Sequence, residues 1–180
     1  GEWVDLGNLR EGKAPADTRI GLTDVVTELG KAHKIIVLIG RDTHDVLALG
    51  QAFTRLETPY NLSVIDSVID LMPEEQAHLS HYLNALMTEP DGNLFDFFHL
   101  GYQTYLNDPG CLDRMNDCYF ESHRLGAIRD DIRESEPVFR NSDLTVFSMN
   151  AIRQKLPESL SRQPTVFALK KLASWPVLPD

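Results

Sequence analysis

The chain predicts an α/β fold, in which helices cover both faces of a mostly parallel sheet, and two observations predict it. Short apolar segments rich in β-branched residues, such as Ile35–Ile39 and Leu62–Ile65, lack the polar alternation of a half-exposed strand and suit one covered on both faces. Between them lie stretches whose apolar residues recur at helical spacing. At 180 residues the length fits one domain, residues 1–180, with a sizeable core.

The elements follow in order. The opening Val4-Asp5-Leu6 reads as strand-like. Leu22, Val25, Val26 and Leu29 keep one helical face over 18–32, with Asp17 as the N-cap and Gly30 as the stop. Ile35–Gly40 then reads as a central parallel strand. Val46, Leu49, Phe53 and Leu56 predict a helix, Pro59-Tyr60-Asn61 a break, and Leu62–Asp66 a second buried strand. Pro73, followed by Glu74 and Glu75, opens a helix that carries Leu79, Tyr82, Leu83 and Leu86. A strand is expected around 94–98. Helices are expected over 111–122 and 125–136, the second closed by Pro137, with Cys118 as a small core residue and Arg129–Glu134 as a solvated face of i, i+4 pairs. Leu144–Met149 reads as a strand. The tail over 154–180 is loop-rich, with a short helix near 165–173.

Composition narrows the function. Seventeen Lys and Arg against 27 Asp and Glu leave a net charge of −10, a field that repels nucleic acid and anionic membrane surfaces. Two cysteines, Cys111 and Cys118, lie two helical turns apart and make no disulfide framework, so a reducing, cytoplasmic setting is expected. The apolar runs fall far short of the ~20 residues that span a bilayer, and the first residues carry no secretory signature. There is no P-loop, nucleophile elbow or dinucleotide fingerprint.

In a parallel sheet, ligands bind beyond the carboxyl ends of the strands. There the sequence places Arg41-Asp42-Thr43-His44-Asp45 and, after the next strand, Asp66-Ser67-Val68-Ile69-Asp70. If the second segment stays extended, Asp66, Val68 and Asp70 share one side, and two carboxylates with a nearby imidazole could hold a divalent cation such as Mn²⁺. The competing reading makes Asp45 or Asp70 the cap of a following helix. His99 at a strand end lines the same crevice or bonds nearby backbone. His78 and His81, three apart on a helix, read as surface residues.

Over roughly residues 3–153 the chain resembles the arginase superfamily, in particular its divergent arginase-like and formimidoylglutamase-like branch. The resemblance rests on Val4–Asn8, Ile36–Gly50, Leu62–Leu71, Phe98-His99-Leu100-Gly101-Tyr102-Gln103-Thr104-Tyr105, Tyr119–Arg129 and Ser142–Arg153 in that order. It implies an arginase-like fold, here as a partial domain, and a pair of Mn²⁺ ions that turns water into hydroxide for attack on a guanidino or formimidoyl carbon. Active members hold the ions through Gly-Gly-Asp-His, Asp-x-His-x-Asp and Ser-x-Asp-x-Asp. The first motif falls on Arg41–His44, with His44 as ligand, or one residue later with Asp45. The second falls on Asp66, Val68 and Asp70, so that valine stands for the histidine. In the third, Ser148 and Asn150 stand for the aspartates.

The resemblance thus leaves His44, Asp66 and Asp70 as surviving metal candidates, with Val68, Ser148 and Asn150 as degenerate positions. Two ions carry +4, whereas Asp66 and Asp70 supply −2 and the replacements are neutral, which leaves room for at most weak binding of a single ion. Three readings follow: a relative without a working manganese centre, serving a structural, regulatory or binding role; a Mn²⁺-dependent hydrolase of a C–N bond in a guanidino or formimidoyl compound; or a plain α/β ligand-binding domain. An incomplete sheet leaves an unpaired edge, so self-association is expected.

Overall fold

A computed structural model describes residues 3–32, 35–40, 43–72, 81–151 and 165–169. Six strands form one sheet: β1 (Ile36–Gly40), β2 (Tyr60–Ile65), β3 (Leu94–Tyr102), β4 (Glu121–Arg124), β5 (Leu144–Ser148) and β6 (Thr165–Leu169), in the order β1-β6-β5-β2-β3-β4. The pairs β5–β2, β2–β3 and β3–β4 are parallel, whereas β6 runs antiparallel to both β1 and β5. The carboxyl ends of β1, β2, β3 and β5 therefore share one edge, and β6 enters there at Thr165, opposite both Gly40 and Ser148.

The register sorts side chains onto two faces. On the first, Leu62, Val64, Phe97, Leu144, Val146, Phe167 and Leu169 are buried under four helices: α1 (Pro15–Lys31), α2 (Val46–Arg55), α3 (Tyr82–Thr88) and α4 (Pro109–Asp117). On the second, Phe98 and Leu100 pack with Ile65 against Ile128 of α5 (Leu125–Asp130) and against Val138 and Phe139 of α6 (Glu136–Asn141). The α/β class and the mostly parallel sheet are as the sequence predicts.

Several elements differ from expectation, each for a local reason. Residues 3–12 form no strand. Helix α1 starts at Pro15, whose missing N–H suits a first-turn position, and Asp17 lies inside it, where its Oδ2 accepts from the Ala14 N–H at 3.0 Å. Gly30 is within this helix rather than beyond it. Strand β1 is no central parallel strand: it lies at the sheet edge, and Val37 and Ile39 on the second face are 45% and 74% exposed. An all-apolar run thus has only one face packed. Residues Tyr60 and Asn61, expected as a break, already belong to β2.

Helix α4 ends early because Tyr119 takes a left-handed φ of 59°, and the chain then enters β4, in place of a helix to 122. Cys118 is consequently the half-buried C-cap, while Cys111 is buried and both thiols are free. The helix expected over 125–136 breaks at Asp131, which is extended and whose carboxylate binds the Arg133 guanidinium at 2.7 Å, an i, i+2 pair in place of i, i+4. Pro137 sits in the first turn of α6 and opens that helix instead of closing the previous one. Thr165–Leu169 is strand, where a short helix was expected. The helix start at Pro73 lies outside the described residues, and α3 carries the expected Tyr82, Leu83 and Leu86 inward. Among the described residues no helix is long and apolar enough to cross a membrane.

Candidate functional site

The shared carboxyl edge begins with Asp66, the residue after β2. Its side chain is buried, its Oδ1 accepts the Ser67 N–H at 2.6 Å, and the Ser148 hydroxyl at the end of β5 reaches the same carboxylate. Burial raises the carboxyl above its ordinary range, and hydrogen bonds from Ser148, Ser67 and the Val68 amide oppose that shift. The Asp66 backbone is fixed from β3: its N–H donates to the Leu100 carbonyl at 3.2 Å, and its carbonyl accepts from His99 Nε2 at 3.0 Å. His99 is fully buried, its Nδ1 has no hydrogen-bond partner among the described residues, and burial pushes its pKa down to about 4. It is thus a neutral histidine bonded to backbone, one of the two roles the sequence offered.

Strand β2 ends at Ile65, and residues 66–72 run as a loop. Extended alternation therefore does not carry Asp66, Val68 and Asp70 to one point. Val68 is 44% exposed. Asp70 turns toward α3, where Oδ1 meets His81 Nδ1 at 2.6 Å and Oδ2 accepts the Tyr82 N–H at 2.8 Å. His81 is accordingly half-buried and bonded, not a bare surface residue, and His78 lies outside the described residues. The loop between the two carboxylates is pinned by Asn107, whose Oδ1 accepts from the Ile69 N–H at 2.7 Å and whose Nδ2 donates to the Ser67 and Gln103 carbonyls at 3.0 and 2.8 Å.

Tyr82 is the hub that joins these groups. Its buried phenol is pushed well above its ordinary value, first by burial and then by the charges of Asp70 and Asp66. The His44 ring, in the single turn Thr43–Asp45, meets the Tyr82 ring edge-on with centroids 6.4 Å apart. Asp45 occupies the N-cap position of α2 without a side-chain capping bond; its Oδ2 lies beside Gly40, where an added Cβ would stand 2.6 Å from it and 2.5 Å from the Phe167 ring. Cys111 senses Asp108 and Asp70, but burial is the main cause that holds its thiol up, away from the thiolate a nucleophile needs. Arg41, Asp42 and the Asn150 side chain lie outside the described residues.

The structure thus sets His99 and Ser148 against Asp66 at this edge, turns Asp70 to α3, and leaves His44 across Tyr82. Among the described residues, no group of three or more His, Cys, Asp or Glu side chains is placed to hold a metal ion. Sequence reasoning missed Tyr82, Asn107 and the role of His81. A tyrosine at a helical core spacing and an asparagine before a proline-led helix give no signal of a polar hub.

No protein-family model and no curated protein sequence matches the chain. Solved structures do match. The chain is similar to formiminoglutamase from Trypanosoma cruzi, with a TM-score of 0.64 and 16% identity over 77% of this chain and 46% of that one. The fold is that of the arginase superfamily. Formimidoylglutamase from Bacillus subtilis superposes with a TM-score of 0.61 at 15% identity, covering 78% of this chain and 47% of that one. The chain thus spans about half the length of these arginase-fold neighbours. The Trypanosoma cruzi formiminoglutamase has also been solved with Mn²⁺. A third neighbour is a quadruple mutant of an arginase-like protein from T. brucei, in which three serines became aspartate and one arginine became histidine. It has a TM-score of 0.53 and 17% identity, covering 67% of this chain and 37% of that one.

Proposed function

We propose that this arginase-fold chain lacks a working dinuclear manganese centre and serves a structural, regulatory or binding role. The observation that carries the reading is the state of the donors. Asp66 is committed to Ser67 and Ser148, Asp70 to α3, and the side chain between them is the exposed hydrocarbon of Val68. A Mn²⁺ ion requires several oxygen and nitrogen donors converging on one point, and two of them to share a second ion. The described residues do not fit a manganese pair. The T. brucei neighbour is a mutant in which three serines became aspartate and one arginine became histidine, so its parent carries serine and arginine at those four positions.

The alternative is a Mn²⁺-dependent hydrolase of a C–N bond in a guanidino or formimidoyl compound, and the manganese-bound neighbour favours it. His44, Asp66 and Asp70 would then be the ligands, with at most a single weakly held ion. Incubating the full chain with millimolar Mn²⁺ and each substrate class separates the two. The proposal expects no C–N cleavage above the buffer rate, and manganese-dependent turnover overturns it.

The reading includes association of two copies. Among the described residues the edge strand β1 leaves one backbone edge unpaired and exposes Val37 and Ile39 on one face, and a second chain packed against this edge and face would cover both. Light scattering after size exclusion tests this, and a clean monomer contradicts it.

A further inference from the structure

The geometry points to Asp70 as the anchor that docks α3 onto the sheet, with the His81 imidazole in the place a cation would take beside a ligating carboxylate. Helix α3 has seven residues, too few to hold itself together without tertiary support. Its first amides need acceptors, and the N-cap residue His81 supplies no capping bond of its own. Asp70 meets that need from outside the helix: one oxygen takes the first helical N–H, of Tyr82, and the other takes the ring of His81.

Two residues on, the same strap is fastened again. The Met72 N–H donates to Asn84 Oδ1 at 2.9 Å, and Asn84 Nδ2 donates to the Met72 carbonyl at 3.2 Å. Around these two fastenings, Tyr82, Leu83 and Leu86 enter the core. The loop after β2 and the start of α3 thus form one hydrogen-bonded unit.

A metal ion recruiting Asp70 would have to share each carboxylate oxygen with a bond already made, to His81 or to the Tyr82 amide. Ligation by Asp70 and docking of α3 therefore compete for the same two oxygens. The inference goes beyond the functional reading and stands apart from it, since an ion held by other residues would leave the anchor intact.

The test uses the full chain. Thermal melts followed by circular dichroism compare wild type with Asp70→Ala, His81→Ala, the double variant and His81→Asn, each with and without millimolar Mn²⁺. Asp70→Ala and His81→Ala each lower Tm by roughly 3–10 °C. The double variant melts well above the additive expectation, because both changes break one shared bond. His81→Asn keeps a donor at the Nδ1 position and recovers most of the loss. Manganese shifts the melt of Asp70→Ala by as much, or as little, as that of wild type.

Two results overturn the inference: single variants that melt like wild type, or a manganese-induced rise in wild type that Asp70→Ala abolishes. Should Asp70→Ala fail to fold, the two His81 variants decide, since both melting like wild type would remove His81 from the anchor. A manganese-induced rise that Asp70→Ala retains contradicts the functional reading and supports the anchor.

Discussion

Removing His99 as a titrating group should flatten the acid limb of the stability curve. The folded chain holds this imidazole neutral to about 4, whereas in the unfolded chain it takes up a proton near 6.5. Below 6.5 the unfolded state therefore binds one more proton, and stability falls as pH drops toward 4; the contribution is complete above 6.5. Each pH unit is worth about 1.4 kcal/mol, so the interval amounts to about 3 kcal/mol for a fully buried ring. Asp66 works in the opposite sense, because its raised carboxyl makes the folded state the better proton acceptor above 3.8. A His99→Gln variant keeps a donor for the Asp66 carbonyl and leaves Asp66 in place, so the difference between the two curves isolates His99. Denaturant unfolding at about pH 7 and about pH 4.5 should show wild type losing about 2–3 kcal/mol more than the variant. Parallel losses would refute the assignment of His99 as a buried neutral group.

Three further outcomes follow from the packing. Gly50→Ala places a methyl 2.6 Å from Leu86 Cδ2 and 2.8 Å from the Tyr60 hydroxyl; it should cost about 1–3 kcal/mol, read as a lower denaturant midpoint. Gly101 follows His99 by two residues at φ +92°, and Gly101→Ala should cost about 1–3 kcal/mol through strain alone, because little else crowds that position; an unchanged melt would show that the backbone relaxes there. Asn107→Ala removes two hydrogen bonds from the 67–69 loop and one from Gln103, so exchange of the Ile69 amide should accelerate by at least about tenfold, while core amides of β2 keep their protection.

The class of fold was legible because buried strands and amphipathic helices write themselves into hydrophobic periodicity. Leu62–Ile65 and Leu144–Phe147 lie where their β-branched runs put them. The position of β1 was not legible, since an unbroken apolar run reads the same whether one or both faces are packed. The helices over 111–136 failed at Tyr119 and Asp131, single residues whose backbone angles break a periodicity that continues past them. At the strand edge, position after a strand pointed to Asp66, Asp70 and His99, and the family resemblance to Ser148; His99 and Ser148 bond Asp66, whereas Asp70 bonds α3. What spacing could not supply was direction. Because β2 stops at Ile65, the alternation assumed for Asp66 and Asp70 ends where it was needed, and Asp70 faces α3.

Equilibrium dialysis of the full chain against Mn²⁺, followed by metal analysis and a thermal melt of the same sample, bears most directly on the functional reading. We expect well under one ion per chain and an unchanged melting temperature. Two ions retained per chain, with a stabilisation of about 2.7 kcal/mol or more at a hundredfold excess over the dissociation constant, would contradict it.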